Sequence, residues 1–600
     1  MEKDNKKNII KISIIAGIIV LIILLFIFLT PIVKNYVKQK SFDKEILMIE
    51  EASLKITTNE QYKNMAVGNV LSVSLKELLD KKYIKETNNP YTNKPFDAGL
   101  NIYITKKDKD EYTARFEYRD NCKYNGSSCL SDVVKSDLKG KSIKYQKGTY
   151  YHGTNDEISN NYVWFNGFEY RIMGINSDGS IKMITSLPLV SISWGGEGIV
   201  DYSNSYARKW LNILPDDNKL KDEYEGVFYT SLKRPDLIKE YPFCIGKQDP
   251  TNETDTTCDV LLNDKVGLLT WWEYVHAGPN KDGTSSYLDI KDRLMFLTGD
   301  KREDNKLLLT DYTGSVFMAG DDEKHLSMSL NYGYAVSGLR PVINLIDTVS
   351  IASGDGTSTN PFRIVGDESG SQNDLLTSRY IGEYVNIAAD KYRIVSTDKD
   401  GNIKIVSDKR VKSTGTSKKD VYTYFDLGSS KENICNTDYP HENCNNKFDV
   451  SDGSLDYDGG LGHNIGYFLN SEAAKNSFYN SLGEYKKYLT DTPYPLGKWS
   501  IGRDYKTVYE GDEVLLKVGM LHYGEMLAGN NLNSSTNTNN YWLITPFNNY
   551  EASFISVSGN ASNEFPNADG VGVRPVLTLK NDIRITKGDG TLHNPYHISN

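Results

Sequence analysis

The sequence predicts an α+β protein in which a transmembrane helix and a small helix-plus-hairpin domain precede two homologous mixed α/β domains. Three observations carry this prediction. The N-terminal region contains a long uncharged segment, a long phrase of sequence occurs twice, and strand-like alternation around Asp-Gly turns recurs between short helical stretches. The first observation predicts the membrane helix, and the other two predict the tandem domains.

Composition limits the classes of protein to which the chain can belong. The chain has 600 residues, a formal net charge of −10 and an apolar fraction of 39%. Nucleic-acid grooves need clustered Lys and Arg, so we expect no nucleic-acid partner for this acidic chain. The apolar fraction is high enough to build packed cores and argues against disorder. The length predicts roughly three to four domains.

Residues 12–33 form the uncharged segment. At about 1.5 Å per helical residue, this segment spans the roughly 30 Å hydrocarbon core of a bilayer. It has neither the shorter apolar core nor the small-residue cleavage site of a signal peptide, so it predicts an uncleaved signal anchor. The lysines of residues 1–11 favour a cytoplasmic N-terminus. The lysines just after the segment, Lys34, Lys38 and Lys40, weaken that charge bias.

Residues 34–130 predict a helical stalk followed by a small α+β domain. Charged residues with apolar residues at helical spacing continue the first helix, and Ser74 is a candidate N-cap of a second, short helix that ends near Asn88. An alternating stretch then predicts a hairpin with its turn at 107–110. This layout loosely resembles type IV pilin-like proteins. The chain lacks that family's Gly-Phe cleavage site and the glutamate after it, which counts against processing and assembly.

The six cysteines fall into three close pairs in polar stretches. An even number of locally paired cysteines predicts loop-stapling disulfides in an oxidising compartment. A zinc site would need closer cysteine spacing or histidine partners, and only His441 is near enough. The cysteines therefore favour an extracellular location for the chain after residue 40. The predicted pairs are Cys122 with Cys129, Cys244 with Cys258, and Cys435 with Cys444.

The phrase that occurs twice is centred on an Arg-Pro step, at Arg340-Pro341 and again at Arg574-Pro575. One constant offset relates the two Arg-Pro steps, two Gly-Asp-Gly-Thr turns and two Asn-Pro steps, with no gap between them. Chance does not hold a register this long, so the phrase predicts an internal repeat.

Further landmarks occur in one order and set the predicted boundaries. The repeats are expected at 160–365 and 380–600, with polar linkers at 131–159 and 366–379. Each repeat opens with a Tyr-Arg-Ile strand and an Asp-Gly hairpin, continues with a Leu-Asn helix and a Val-Gly segment, and closes with the Arg-Pro strand. The arginines of the opening strands are Arg171 and Arg393.

This order of landmarks resembles bacterial surface domains of unknown function that are related to the C-type lectin fold, like the formylglycine-generating enzymes. The resemblance implies two tandem C-type-lectin-like domains whose Arg-Pro strand returns to the centre of the sheet. It also implies that Arg574 donates to backbone carbonyls beneath the sheet. The enzymes of this fold use a reactive cysteine pair that holds copper. The cysteine pairs here are not equivalent between the repeats, so that activity is not expected.

A search for catalytic motifs finds no HExxH, GxSxG, Walker or dinucleotide-binding pattern. Glu273 and Glu525 are matched between the repeats and, with His276 and His522, are the best positions at which to look for a catalytic cleft. Each repeat offers only one such carboxylate, whereas glycosidases use two. We therefore interpret these glutamates as capped or exposed helix residues, and we expect no cofactor or metal.

Aromatic residues provide the candidates for ligand binding. Trp271, Trp272 and Tyr523 lie in equivalent segments of the repeats, and Trp542 follows an Asn/Ser/Thr-rich loop at 529–542. Tyr and Trp can form a carbohydrate or protein platform. Core packing is the commoner role of such residues. Adjacent tryptophans cannot face the same way, so at least one of Trp271 and Trp272 should be accessible.

These observations favour a membrane-anchored extracellular binding or adhesion protein that displays two lectin-like modules and is not an enzyme. Its ligand would be a glycan or a surface protein. A cell-wall or surface hydrolase is the first alternative, and a minor pilin-like assembly subunit is the second.

Overall fold

The chain divides into two compact units, Met1–Ser128 and Cys129–Asn600. It is a mixed α/β protein with many β-sheets and few helices, as the α+β prediction expects. The computed structural model describes residues 30, 33–34, 36–65, 67–125, 127–195, 201–213, 226–246, 258, 260–278, 286–288, 295–298, 315–321, 326–332, 336–398, 400–411, 425–426, 448–451, 464–474, 477–496, 498–501, 507–510, 513–527, 540–546, 551–556, 561–566 and 571–599.

The predicted membrane anchor at 12–33 lies almost entirely outside these residues. Among the helices that the structure describes, none is both long enough and apolar enough to cross a membrane.

The first unit packs a long helix on a three-stranded antiparallel sheet with the order β1-β4-β5. One face of the helix buries Phe42, Ile46 and Ile49 against Ile102 and Ile104 of the central strand. The elements of this unit are α1 (36–53), a 3₁₀ turn (Leu54–Thr58), α2 (Glu60–Lys63), β1 (Val70–Ser74), α3 (Leu75–Asp80), β2 (Asn88–Asn89), β3 (Lys94–Pro95), β4 (Asn101–Asp108), β5 (Glu111–Phe116), a 3₁₀ turn (Glu117–Asp120) and α4 (Cys122–Asn125).

Two predictions for this unit are confirmed and one is wrong. Ser74 caps α3 by accepting a hydrogen bond from the Glu77 backbone N–H at 3.1 Å, and the hairpin turns between β4 and β5 as expected. The helix ends at Asp80 instead of near Asn88. Lys82 adopts a positive φ of 60°, which a continuing helix cannot accommodate.

The first half of the second unit is built on a seven-stranded sheet with the order β14-β19-β10-β9-β7-β6, in which β8 also pairs with β9. Its elements are α5 (Leu130–Asp137), β6 (Ser142–Tyr145), β7 (Gly148–Tyr151), β8 (Tyr162–Phe165), β9 (Phe168–Ile175), β10 (Ile181–Thr185), β11 (Val190–Ser193), a 3₁₀ turn (Tyr202–Asn204), α6 (Tyr206–Leu211), α7 (Val227–Ser231), a 3₁₀ turn (Pro235–Leu237), β12 (Tyr241–Cys244), β13 (Leu261–Asp264), β14 (Val266–Gly267), α8 (Trp271–Ala277), β15 (Met295–Phe296), β16 (Ser315–Asp321), β17 (Leu326–Tyr332), β18 (Val336–Leu339), β19 (Val342–Leu345), β20 (Ile351–Ser353) and β21 (Arg363–Ile364).

The second half repeats this architecture. Its main sheet has the order β22-β23-β24-β34-β29, which matches β8-β9-β10-β19-β14 strand for strand. Its elements are a 3₁₀ turn (Leu376–Ser378), β22 (Tyr384–Ile387), β23 (Asp390–Thr397), β24 (Ile403–Ser407), α9 (Ile465–Asn470), α10 (Phe478–Ser481), a 3₁₀ turn (Gly483–Tyr488), β25 (Thr492–Pro495), β26 (Lys498–Ile501), β27 (Thr507–Glu510), β28 (Glu513–Leu516), β29 (Val518–Gly519), α11 (Tyr523–Leu527), β30 (Asn540–Pro546), β31 (Ala552–Ile555), β32 (Ala561–Glu564), β33 (Val571–Gly572), β34 (Val576–Leu579), β35 (Arg584–Lys587) and β36 (His597–Ser599).

Each half also contains a second sheet, and the strand orders of these two sheets correspond. Its order is β11-β18-β15-β16-β17 in the first half and β33-β30-β31-β32 in the second. A parallel pairing occurs at Met295 with Gly338 and again at Tyr541 with Gly572. Each of these glycines stands two positions before the arginine of its Arg-Pro step, so the structural repeat keeps the offset of the sequence repeat.

The predicted linker at 131–159 is wrong. Residues of this segment form α5 and the β6–β7 hairpin, and β7 pairs with β9 in the main sheet of the first repeat. Leu130, Val134 and Leu138 recur every four residues and are buried as one helix face. The segment is polar on average, but its few apolar residues have helical spacing and fix it to the core.

The Arg-Pro steps fulfil the structural role expected of them. Arg340 Nε donates to the Thr185 carbonyl at 2.8 Å, and Arg574 Nε donates to the matched Ser407 carbonyl at 2.7 Å. Both guanidinium groups are buried, so the carbonyls replace the water that they have lost. The carbonyls of the two prolines accept hydrogen bonds from the backbone N–H groups of Thr185 and Ser407.

The Gly-Asp-Gly-Thr turns close each repeat onto its own first strand. The Tyr162 N–H donates to the Gly356 carbonyl at 2.8 Å, and the Tyr384 N–H donates to the Gly590 carbonyl at 2.8 Å. The repeated phrase is therefore the last core strand and exit hairpin of a module used twice.

The arginines of the opening strands have similar but not identical partners. Arg171 is buried and donates from Nε to Asn161 Oδ1 at 2.6 Å, whereas Arg393 Nε donates to the Gly382 carbonyl at 3.2 Å. Glu383 occupies the place of Asn161, since the backbone carbonyls of both accept the N–H of the Ile that follows the arginine. Both arginines therefore belong to the repeat core.

The predicted flexible linker at 366–379 is also wrong. Asp367 is 1% exposed, and the Asn166 N–H in the first repeat donates to its Oδ2 at 2.9 Å. Lys233 Nζ donates to the backbone carbonyls of Ser378 and Arg379 at 3.1 Å. One hydrophobic core runs through both repeats. The segment is polar in composition, yet Asp367 and residues 375–379 are buried inside the junction, while Glu368 and residues 371–373 are exposed.

Two of the three predicted disulfides are present. Cys244 is bonded to Cys258, and Cys122 and Cys129 are disulfide-bonded cysteines. The third predicted pair, Cys435 and Cys444, lies outside the described residues.

Candidate functional site

The residues that the sequence proposes for binding or catalysis gather around two matched helices, α8 and α11. In the first repeat, Thr270 begins α8 as its N-cap and forms a capping box with Glu273. Thr270 Oγ1 accepts from the Glu273 N–H at 3.1 Å, and Glu273 Oε2 accepts from the Thr270 N–H at 3.0 Å. The other carboxylate oxygen of Glu273 forms an ion pair with Lys182 of β10. Both side chains are buried, so the carboxylate is held by structural contacts.

The second repeat reproduces this arrangement. Glu525 Oε1 lies 3.0 Å from Lys404 Nζ of β24, and Glu525 Oε2 accepts from the His522 N–H at 3.2 Å. Burial acts to raise the pKa of Glu525, but the His522 ring and Lys404 outweigh it and hold that pKa below its usual range. Of the two interpretations offered for these glutamates, helix capping is confirmed and exposure is wrong, because both are buried and pair with a lysine.

His276 and His522, the two histidines of this region, lie in different environments. Burial and the charge of Lys404 lower the pKa of His522, against the opposing charge of Glu525. The His276 ring packs on Trp272 with 4.1 Å between the ring centroids, and its backbone carbonyl accepts from His152 Nδ1 at 2.8 Å. His522 Nε2 lies 3.6 Å from Glu525 Oε1, but the Glu525 side chain is only 9% exposed, and His276 is itself buried.

The aromatic candidates are largely core residues. Trp272 is buried and stacks on Tyr145 with 4.7 Å between the ring centroids, and Trp542 is also buried. Tyr523 is buried at 9% exposure. As ligand-binding candidates these three are wrong, because all of them are buried; core packing, the commoner role of such residues, is the one that the structure shows. Trp271 is half-buried, as the alternation between adjacent tryptophans predicts.

A polar network lies beside the first ion pair, on the buried face of the sheet. Lys182 is directly opposite Asn344 in the pairing of β10 with β19. Asn176 Nδ2 donates to Asn344 Oδ1 at 2.7 Å, and Tyr150 donates its hydroxyl hydrogen to Asn176 Oδ1. Asn344 is 0% exposed, and its Nδ2 has no hydrogen-bond partner among the described residues.

A second buried network lies at the junction between the repeats. Arg379 forms a bidentate pair with Glu383, at 3.0 and 2.9 Å, and the Tyr596 hydroxyl donates to the same carboxylate at 3.3 Å. Burial raises the pKa of the neighbouring Asp367 to about 7, against the opposing effects of the Asn166 N–H, the nearby Arg363 and the Tyr380 hydroxyl. The junction therefore contains a carboxyl group that changes its charge near neutral pH.

The first unit offers a cavity of about 470 Å³ beside α1. Its lining contains one lysine and one glutamate among neutral side chains, which does not define a reacting pair. The lining residues are Val37, Lys38, Ser41, Glu45, Thr87, Asn88, Pro90 and Asn93. Within the described part of the chain, no group of three or more His, Cys, Asp or Glu is placed to hold a metal ion.

No protein-family model, no curated protein and no solved structure matches the chain.

Sequence reasoning missed the two lysines that complete the buried pairs. Lys182 and Lys404 occupy the same place in the strand after each Asp-Gly turn, where an Ile-Lys step stands between apolar residues. A lysine at a matched position of two buried strands was the available signal, since such a charge needs a buried partner. Nothing in the sequence connects Lys182 with Asn344, because strand register is required to place them together.

Proposed function

We propose that this is a membrane-anchored extracellular binding or adhesion protein, without catalytic activity, that displays two lectin-like modules to a glycan or surface-protein ligand. The observation that carries the choice of binding over catalysis is the state of Glu273 and Glu525. Each carboxylate is buried, caps a helix and pairs with a lysine. A general acid or base must reach substrate, and these groups are already committed to structural partners.

The location rests on separate support. The uncharged segment at 12–33 is long enough to cross a bilayer, and the Cys244–Cys258 bond favours an oxidising compartment. Together they support a location of the bulk of the chain outside the cell, with the N-terminus inside.

The packing of the two repeats bears on how they would bind. Because one hydrophobic core runs through both repeats and Asp367 and residues 375–379 are buried at the junction, the modules form one body and present their surfaces at a fixed spacing. A ligand with repeating units, such as a wall glycan, could contact both modules at once and gain avidity without the cost of ordering a linker. Trp271, half-buried on α8, is the aromatic candidate that remains available for contact, and the 529–539 part of the predicted binding loop lies outside the described residues.

The proposal is tested with a chain spanning residues 34–600, which keeps Gln39 and its hydrogen bond to Tyr91. This chain is applied to an array of glycans and cell-wall fragments, with and without calcium. We expect a reproducible hit that Trp271→Ala weakens at least several-fold. The matched control is Tyr523→Phe at the equivalent position of the second repeat, which keeps the buried ring and should leave binding unchanged. An array without any hit would contradict the glycan version of the proposal and redirect it to a protein ligand.

The pilin-like alternative has one observation in its favour. The first unit contains a long helix, the short helix α3 and the β4–β5 hairpin, which are the stalk, small helix and hairpin of the layout on which that resemblance depends. Isolation of the full chain from membranes would separate the alternatives, since an assembly subunit would be recovered in high-mass fibres and an anchored receptor would not.

A further inference from the structure

The first repeat holds a lysine and an asparagine directly opposite each other inside its sheet. We propose that Lys182 Nζ and Asn344 Cγ become joined by an intramolecular isopeptide bond, with loss of ammonia. The cross-link would tie the second strand of the opening hairpin to the Arg-Pro strand. It does not depend on the proposed binding function.

Strand register brings the two side chains together. Lys182 of β10 pairs with Asn344 of β19 in an antiparallel ladder, and residues directly opposite in such a ladder point to the same face with Cβ atoms about 4.5–5.5 Å apart. Both residues are buried, at 4% and 0% exposure. The amine and the amide therefore extend from opposed positions on one face of the sheet, in a water-excluded site where hydrolysis does not compete.

The amide is arranged as an electrophile. Tyr150 donates to Asn176 Oδ1, which leaves Asn176 Nδ2 to donate to Asn344 Oδ1 at 2.7 Å. This donor stabilises the negative charge that develops on the oxygen when Cγ is attacked. The same network fixes the orientation of the Asn344 amide, and its Nδ2, the leaving group, has no hydrogen-bond partner among the described residues.

Glu273 is placed to move the protons. Its Oε1 is paired with Lys182 Nζ, while its Oε2 is fixed by Thr270. In a site of low dielectric, transfer of a proton from the ammonium to the carboxylate gives a neutral pair and a nucleophilic amine. The amine adds to Cγ, the Cγ–Nδ2 bond breaks, and the carboxyl takes one proton from Nζ and returns one to Nδ2. One amide forms, one ammonia leaves, and neither an oxidant nor a reductant is consumed.

The second repeat is a built-in comparison. It keeps the ion pair of Lys404 with Glu525, but the residue opposite Lys404 is Thr578, which has no amide to attack. The expected product therefore contains one cross-link, in the first repeat only.

The test is the mass of the purified full chain after reduction and alkylation of its cysteines. We expect a mass below the sequence value by one ammonia, about 17 Da, in nearly all molecules. A protease digest should contain one branched peptide that joins the segment around Lys182 to the segment around Asn344. Lys182→Arg, which keeps the charge, should restore the sequence mass, whereas Lys404→Arg should leave the deficit in place.

Folded wild-type protein at the full sequence mass would overturn the proposal. A deficit that persists in Lys182→Arg would also overturn it, because the ammonia would then come from another asparagine. Where a variant does not fold, the branched peptide of the wild-type chain decides the question alone.

Discussion

Loss of the positive partner of the buried pair in the second repeat should destabilise the second unit strongly. Lys404 Nζ and Glu525 Oε1 lie 3.0 Å apart, and both side chains are 9% exposed. At an effective dielectric constant of about 20, unit charges at this distance attract by about 5.5 kcal/mol. The cost of desolvating both groups offsets much of this attraction in the wild type. Removal of one partner leaves the other charge buried and unpaired, so we expect Lys404→Met to cost about 3–5 kcal/mol.

The assay is a thermal scan of the chain spanning residues 34–600, followed by near-ultraviolet circular dichroism. At about 2.1 cal/mol/K per residue, a unit of about 470 residues unfolds with an entropy near 1 kcal/mol/K, so its midpoint should fall by about 3–5 °C. Lys587→Met, at an exposed lysine of the same repeat, is the matched control and should shift the midpoint by less than about 1 °C.

A double variant separates lost charge from lost packing. Glu525→Gln keeps an oxygen that can accept the His522 N–H but carries no charge. Combined with Lys404→Met, it removes the unpaired charge, so most of the lost stability should return. A Lys404→Met midpoint equal to that of the exposed control, or a double variant less stable than either single variant, would show that no buried charge is left unpaired.

Three further predictions concern the junction and the repeat core. The pKa of Asp367 is raised to about 7 from an unfolded value near 3.8. The free energy of unfolding of the second unit should therefore fall by up to about 4 kcal/mol as pH rises from 4 to 7. Asp367→Asn should remove this pH dependence, measured by urea unfolding at several pH values. Gly167→Ala should destabilise the second unit by several kcal/mol, because its Cβ would meet a backbone carbonyl oxygen across the junction at 2.1 Å. The matched control is Gly140→Ala, at a similar φ of +80° but with no atom within 4 Å of the added Cβ. It should cost only about 1–2 kcal/mol in the same unfolding assay. The Asn470 side chain forms hydrogen bonds with both the N–H and the carbonyl of Val518. Asn470→Ala should therefore lower the free energy of unfolding by about 1–3 kcal/mol, measured by thermal unfolding. A smaller loss than at an exposed asparagine would contradict this role.

Local signals in the sequence predicted much of the fold. The constant offset of the repeated phrase placed the Arg-Pro strands, and the Asp-Gly turns placed the hairpins that precede them. The structure explains why glycine stands in both Val-Gly segments, which the sequence alone did not reveal. A Cβ on Gly267 would meet the Phe243 ring at 2.3 Å, and one on Gly519 would meet the Tyr494 ring at 2.3 Å. The repeated glycine in the sequence therefore marks a site of close packing, and the structure identifies the aromatic ring that packs there.

The errors share one cause. Polar composition predicts linkers at 131–159 and 366–379, yet Asp367 and residues 375–379 are buried, where partners distant in sequence contact them. The aromatic residues of the predicted platform were identified by type, and burial depends on tertiary contacts that type does not specify. Lys182 and Lys404 were overlooked because a charged residue in a strand is usually taken as solvent-facing. Composition describes a segment on its own, whereas burial is decided by what packs against it.

Whether the protein binds its ligand without cleaving it is tested by measuring binding and cleavage in the same sample. The chain spanning residues 34–600 is incubated with soluble cell-wall fragments, and mass spectrometry then follows both the retained fragments and any products. We expect the fragments to be retained and returned intact, and we expect Glu273→Gln and Glu525→Gln to leave retention unchanged in folded protein. Cleaved fragments that disappear in either glutamine variant would contradict it, because the buried carboxylates would then be catalytic.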